Sequence, residues 1–314
     1  MIALIVGAGA TIEEANRSGV SSELQFPVIS NFAKVMWKDY LPHPFLIPFL
    51  NSQGVITDPQ GRTAFEVFLR LEADKKTNVE VFFEYCWKNR NKFPEHPTAW
   101  EDMLYHGFAN PIVAAMATSL FENGKGWREL KASNLLSSYL RPGDVVVNLN
   151  YDTVFELSME MSKKPFHYLP NISKDSIAVA KPHGSINLLV NQKEGTFFFG
   201  QPDIPGTVVP SKDLSMSASL LPPRLSKDYA SHPIADAIIK PLVAFAPSDL
   251  LFWGVGFTES DTNVNEIYKH FARTAGKIEV INPDMSTWST VAKILEKDVK
   301  GYRTLDDWLT SREG

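Results

Sequence analysis

Ile2-Ala3-Leu4-Ile5-Val6-Gly7-Ala8-Gly9-Ala10-Thr11 opens the chain. Five apolar residues without polar alternation read as a strand buried on both faces, as a parallel sheet requires. The glycines after Val6 read as a tight turn, with a helix expected from Thr11 to Gly19. Asp144-Val145-Val146-Val147-Asn148-Leu149 runs in the same way into Asn150-Tyr151-Asp152, and Ile177-Ala178-Val179-Ala180 into Lys181-Pro182-His183-Gly184-Ser185. Leu250-Leu251-Phe252-Trp253 leads into Gly254-Val255-Gly256-Phe257-Thr258 and on to Asp261, and Lys277-Ile278-Glu279-Val280-Ile281 ends on Asn282-Pro283. Buried strands that release glycine or polar residues at their C-terminal ends describe the ligand-binding edge of an open α/β sheet. The expected fold is therefore α/β, a Rossmann-like and mostly parallel sheet with helices on both faces.

Between the first two of these strands the pattern turns helical. Phe26-Pro27-Val28-Ile29 reads as a loop, followed by a helix-like run to about Tyr40 and a proline-rich link through Pro42, Pro44 and Pro48. Val79, Phe82, Phe83 and Cys86 keep helical spacing, as do Ile112, Met116 and Leu120, and Leu135, Leu136, Tyr139 and Leu140. The expected organisation is a Rossmann-like core over residues 1–40 and 141–314, with an inserted helical module over 41–140. Further helices are expected after Tyr151 to about Ser162, from Asp261 to Ala275 and from Thr287 to Lys297. Residues 196–199 read as a strand, and the stretch from Gln201 to Asp228, with five prolines, as a long loop.

Composition narrows the function classes. A formal net charge of -5 over 314 residues advertises no basic surface for nucleic acid. The 44% hydrophobic and 21% charged content is that of an ordinary globular protein. Cys86 is the single cysteine, which excludes an intramolecular disulfide and a cysteine-based structural zinc site. No metal-ligand spacing is present, so no metal is expected. The start lacks the basic residues of a signal peptide, and the apolar stretch from Pro241 to Phe257 is broken by Pro247, Ser248 and Asp249. A cytoplasmic protein without membrane contact is expected.

Taken residue by residue, the motifs leave alternatives open. The Gly7-Ala8-Gly9-Ala10-Thr11 turn would let backbone N–H groups and a helix N-terminus meet a pyrophosphate, or is simply a tight strand–helix turn. Its sixth position is Ile12, which departs from the dinucleotide fingerprint, and no second strand ends in an acid about 20 residues later as a dehydrogenase needs. Asn150 and Asp152 suit contacts to a ribose hydroxyl and an amide, and equally suit capping of the next helix. His183 is either a general base or a loop histidine bonded to backbone. His43, His96, His106, His167, His232 and His270 have weaker settings.

Together these motifs resemble the sirtuin-like family, in particular the zinc-free bacterial branch found in antiphage defence systems. The resemblance rests on Gly7 to Thr11, Phe26-Pro27, Asn150-Tyr151-Asp152, Lys181-Pro182-His183-Gly184-Ser185, Gly254 through Asp261, and Val280-Ile281-Asn282, in family order along almost the whole chain. It implies an NAD-binding core and cleavage of the bond between nicotinamide and ribose. His183 would be the base and Asn150 would orient ribose and nucleophile. Asp152 would contact the nicotinamide side, Gly7, Ala8, Gly9, Ala10 and Thr11 the phosphates, and Gly254, Gly256 and Asn282 the adenosine ribose. Pro27, Phe257 and Asp261 belong to the same implied NAD site. The chain departs from deacylating sirtuins in having no four-cysteine zinc module, carries Asn148 where the family usually has Thr, and has Ala10-Thr11 in place of Ala-Ser or Ile-Ser.

The function expected is thus NAD hydrolysis by a toxic or defence-related NAD-depleting enzyme, with NAD as substrate and no metal. A non-catalytic NAD or ADP-ribose sensor is the alternative. Expected partners are NAD and either further copies of the chain or a separate sensor or effector protein, without nucleic acid.

Overall fold

The structure, a computed structural model, describes all residues except 21–25, 28–30, 38–43, 56–60, 93–94, 96–98, 123, 192, 204–213, 216–219, 226, 228, 230–231, 258–260 and 314. His43, His96, Val28, Ile29, Pro42, Pro205, Pro210 and Thr258, read above from sequence, lie outside the described residues. The elements are β1 (Ile2–Val6), α1 (Ala8–Arg17), α2 (Phe32–Met36), α3 (Leu46–Ser52), α4 (Gly61–Ala73), α5 (Val79–Asn89), α6 (Ala99–Leu104) and α7 (Asn110–Leu120). They continue with β2 (Phe121–Glu122), β3 (Gly126–Trp127), α8 (Lys131–Ser137), β4 (Val145–Asn148), α9 (Val154–Met161), β5 (Phe166–Tyr168), β6 (Ile177–Ala180), β7 (Leu188–Asn191), β8 (Thr196–Phe199) and β9 (Leu214–Ser215). The last are α10 (Pro233–Ile239), β10 (Asp249–Trp253), α11 (Thr262–Thr274), β11 (Lys277–Ile281), α12 (Met285–Leu295), β12 (Lys300–Tyr302) and α13 (Leu305–Glu313).

Among the described residues seven strands form one parallel sheet in the order β12-β11-β10-β1-β4-β6-β5. The five strands read from sequence occupy its centre, and the three-residue strands β5 and β12, too short to leave an apolar run, form its edges. The chain leaves β1 towards β4 and later returns to β1's other side as β10. That reversal opens a crevice at the C-terminal ends of the central strands.

Alternate residues of β1 enter different cores, which is why the strand is apolar throughout. Ala3 and Ile5 pack with Phe252, Val280 and the inner faces of α10, α11 and α12. Leu4 and Val6 pack with Val146, Trp253 and α1, α8, α9 and α13. A third core belongs to helices α2 to α7 and is strongly aromatic, with Trp37, Phe49, Phe68, Phe82, Phe83 and Phe108 all fully buried. Val79, Phe82, Phe83 and Cys86 form the buried stripe of α5. Among the described residues no helix is long and apolar enough to cross a membrane.

Several local expectations shift. α1 starts at Ala8 rather than Thr11, because Gly7 takes the N-cap position and its carbonyl accepts from Ala10 N–H at 2.9 Å. Pro48 lies in the first turn of α3, where a missing N–H costs nothing, so part of the expected proline link is helix. Residues 196–199 are a strand, but one of the antiparallel trio β8-β7-β9, and its alternating exposure differs from the unbroken burial of β6. Leu135 and Tyr139 are exposed beside the buried Leu136 and Leu140.

The β1 and β10 turns interlock through glycine. Gly254 has φ +63°, and a Cβ there would stand 2.0 Å from the Ala10 nitrogen. Gly254→Ala is expected to cost about 1–3 kcal/mol in urea denaturation, since left-handed strain and a backbone clash fall at one position. Gly256, where an added Cβ meets nothing within 4 Å, is expected to tolerate alanine within about 0.5 kcal/mol.

Candidate functional site

A cleft of about 940 Å³ lies over the switch point, at the upper end of the range for small-molecule sites. One wall is the C-terminal edge of the sheet and the other comes from α4, α5 and the turn between them. Gly7, Ala8, Gly9, Thr11, Pro27, Asn150, Asp152, His183, Gly254, Gly256, Phe257 and Asp261 all line it. Ala10 and Asn282 do not. Ala10 is buried in the sheet core, and Asn282 donates to Val255 O at 3.0 Å and accepts from Asp284 N–H at 2.9 Å.

The glycine turn is built differently from a loop of free N–H groups. Gly7 N–H donates to Trp253 O at 3.0 Å and Gly9 N–H to Gly254 O at 2.9 Å. A Cβ on Gly7 would reach Gly254 O at 2.6 Å, and one on Gly9 would reach it at 2.9 Å. The glycines thus serve first the close approach of two backbones, and Ala8 between them lines the cleft as they do.

Asn150 is locked against that turn. Its Nδ2 donates to Gly7 O at 3.0 Å and to Thr11 Oγ1 at 3.0 Å, and because Gly7 O can only accept, Oδ1 is the atom left for a ligand. Thr11 Oγ1 donates in turn to Asp152 Oδ2 at 3.0 Å, while Asp152 Oδ1 accepts from Val154 N–H at 3.0 Å at the start of α9. Asp152 thus fastens a helix start and also lines the cleft. Burial raises its pKa, against the opposing charge of Lys181.

A buried network lies beneath this turn. Asn148 Oδ1 accepts from Asn150 N–H at 3.0 Å, and its Nδ2 donates to both Glu156 oxygens at 3.0 and 3.1 Å. Lys181 Nζ lies 3.2 Å from Glu156 and also donates to Asp152 O. Asn148, Glu156 and Lys181 are all fully buried. These three side chains set the backbone on which Asn150 and Asp152 stand.

His183 follows β6 at the next strand tip, before Gly184 with φ +85°. Nδ1 pairs with Leu149 O at 2.9 Å, and a carbonyl accepts only, so Nδ1 carries the proton and Nε2 the lone pair. The ring lies between Tyr151 and Tyr229, with centroids 5.9 and 5.8 Å away. Nε2 faces Asp261 Oδ2 at 3.5 Å and Lys227 Nζ at 3.4 Å, and Lys227 and Asp261 are 2.8 Å apart. Burial, then the Lys227 charge, lowers the His183 pKa, against Asp261 and the Leu149 carbonyl. Burial alone would raise the Asp261 carboxyl, but His183 and Lys227 together hold it well below the usual carboxylate range. The other described histidines serve elsewhere: His232 caps α10, His270 bonds Phe245 O, His167 bonds Ser176 and His106 packs edge-on against Tyr105.

Lys227, Glu72, Thr77 and Glu80 also line the cleft and were not read from sequence. Lys227 sits in an aperiodic stretch, and Glu72 and Glu80 look like ordinary solvated helix charges, so no pattern marks them. Among the described residues Glu72 Oε1, Thr77 Oγ1 and Asp261 Oδ1 are buried atoms of the cleft without a hydrogen-bond partner. Burial pushes the Glu72 carboxyl up to about 7 and raises Glu80. Buried oxygens of this kind suit a ligand rich in hydroxyl and amino donors. No group of three or more candidate metal ligands occurs among the described residues.

No family model matches the sequence, and no curated protein matches it. Among solved structures, the chain is similar to a Sir2 homologue variant in complex with 2′-O-acetyl ADP ribose, with 13% identity, 99% of this chain and 89% of that chain covered, and TM-score 0.42. It is similar to a Sir2 homologue–NAD complex with 13% identity, 96% and 82% coverage and TM-score 0.41. A Sir2 homologue variant with ADP ribose gives 14% identity, 96% and 86% coverage and TM-score 0.41. Likeness this distant assigns neither a ligand nor a reaction to this chain.

Proposed function

We propose that this chain hydrolyses NAD at the nicotinamide–ribose bond. The observation that carries the reading is the meeting of His183 Nε2, Asn150 and the Gly7–Gly9 turn in one cleft at the sheet's switch point. The C1′–N bond breaks with its electron pair leaving on the nicotinamide ring nitrogen, which converts a pyridinium into a neutral pyridine and leaves an oxocarbenium-like ribosyl centre. Water attacks C1′ and its proton passes to His183 Nε2. Asn150 Oδ1 orients the ribose and the water, Asp152 borders the nicotinamide, Ala8 and the α1 N-terminus meet the phosphates, and Gly256 and Phe257 flank the adenosine half. Asn282 is left out of this set because its amide is spent on Val255 O and Asp284 N–H. An NAD-depleting role in defence against phage, triggered by self-association or by a separate sensor chain, belongs to the same reading.

A non-catalytic NAD or ADP-ribose sensor is the second reading, favoured by the Lys227 ammonium that faces the His183 lone pair. Incubation of the purified protein with NAD and chromatography of the products separates the two. Nicotinamide and an ADP-ribose product are expected. Tight NAD binding without nicotinamide release supports the sensor, and absence of binding in calorimetry removes both.

Glu72 gives a further expectation. Its raised pKa means that the folded state prefers the protonated carboxyl, so that contribution is present below the ordinary pKa of 4.5 and is lost as pH rises through about 7. Glu72→Gln is expected to raise stability at about pH 8.5 by about 1 kcal/mol, allowing for solvent screening of a half-buried group, with no gain near pH 4. The same substitution is expected to weaken NAD binding several-fold. Urea titrations at both pH values and calorimetry with NAD check the pair of effects.

A further inference from the structure

A base at His183 must be neutral before the reaction and stable as a cation after proton transfer. The groups that surround Nε2 bear on both needs. Lys227 Nζ, Asp261 Oδ2 and His183 Nε2 form a nearly equilateral triangle with sides of 2.8, 3.4 and 3.5 Å. The lysine and aspartate side chains are only 13% and 15% exposed, so their charges act through little water. We propose that Lys227 is a positioning residue for His183: its ammonium occupies Asp261 in the resting cleft and releases that carboxylate to the imidazolium once Nε2 takes a proton.

The backbone around Lys227 is tethered for such a task. Leu221 N–H donates to His183 O at 2.9 Å, and Tyr151 OH donates to Leu221 O. The Arg224 guanidinium lies 4.6 Å over the Trp87 ring of α5, and Asn263 Nδ2 donates to Lys227 O at 3.2 Å. Leu221, Arg224 and Lys227 are thereby tied to the β6 tip, to the helical wall and to α11 respectively.

Charge placement gives the two acidic-site partners opposite effects. A cation beside Nε2 opposes a second proton on the ring, and a carboxylate favours it. With Lys227 present the ring stays neutral, which is the form a base needs. Without it, Asp261 alone faces Nε2 and closes an ion pair with a protonated ring, which blocks the base at neutral pH. Among the described residues the other titratable groups facing this triangle are Tyr151, Tyr229, Tyr268, Glu80 and Arg224. Burial keeps the three phenols protonated, and Glu80 couples to Lys227 and Asp261.

The inference rests on His183 acting as the base, but its first readout does not depend on turnover. Imidazole NMR titration of the full chain, with His183→Gln to assign the signal, reports the His183 midpoint directly. Lys227→Gln is expected to raise that midpoint by about one pH unit or more, and Lys227→Arg, which keeps the charge, to leave it near the wild-type value. In NAD turnover the Lys227→Gln loss is expected to be about tenfold greater at pH 6 than at pH 9, because the acidic limb of kcat/KM moves upward. An unchanged midpoint in a folded Lys227→Gln protein overturns the proposal. Should that variant fail to fold, a midpoint raised in Lys227→Arg overturns it instead. Absence of nicotinamide release by the wild type removes the hydrolase reading and leaves the titration to decide on Lys227.

Discussion

His183→Ala is expected to lower nicotinamide release by about 10²–10⁴-fold, the usual contribution of a positioned general base. The ring reaches the cleft with its proton fixed on Nδ1 by Leu149 O, so alanine removes the Nε2 lone pair that takes the proton. NAD affinity is expected to change by no more than a few-fold, since the ring's own bonds are to protein groups. Asn150→Ala should behave differently. Its amide holds Gly7 and Thr11 as well as offering Oδ1, so both affinity and turnover are expected to fall. Wild-type turnover is expected to rise with pH through the His183 midpoint, which lies below the ordinary 6.5, and to be lost as pH falls through it. Single-turnover release measured from about pH 5 to 9 checks the limb and its absence in His183→Ala. Equal rates for wild type, His183→Ala and Asn150→Ala would remove both residues from the mechanism.

Lys181→Met is expected to destabilise the fold by about 3–5 kcal/mol, because it strands the Glu156 carboxylate in the interior with no opposing charge. The loss should be visible in urea denaturation at neutral pH. Lys181→Met combined with Glu156→Leu removes both charges and is expected to recover much of that stability. It should not recover the site. Glu156 also orients Asn148, whose Oδ1 holds the Asn150 N–H, and Lys181 holds the Asp152 carbonyl. A double variant that is stable yet slow in NAD turnover is the expected outcome. A double variant with full turnover would show that the buried pair serves stability alone.

Much of the sheet was legible because its centre is made of short, mostly apolar runs. β1, β4, β6 and β10 keep three or more consecutive apolar residues buried on both faces, and β11 is buried likewise although Glu279 interrupts it. The same logic fails at the margins. β5 and β12 have three residues each and mixed exposure, so they leave no run to read. The site divides in a similar way. Asn150, Asp152 and His183 announce themselves by standing immediately after buried strands. Lys227 and Glu72 do not, since an isolated charge in a loop or on a helix has the same local pattern whether it faces water or a cleft.

The amino-acid sequence by itself determined the kind of sheet, the placing of polar residues at its C-terminal edge and the absence of any cysteine pair. Those properties depend on local composition and short periodicity, and each is complete within a few residues. Only the tertiary structure decided what the glycines do, which nitrogen of His183 faces the cleft, and which charges meet it. Gly7 and Gly254 are separated by almost the whole chain yet touch backbone to backbone, and Lys227 reaches His183 across 44 residues. A hydrogen bond or an ion pair is made between atoms at about 3 Å, and such a distance is set by packing rather than by position along the chain.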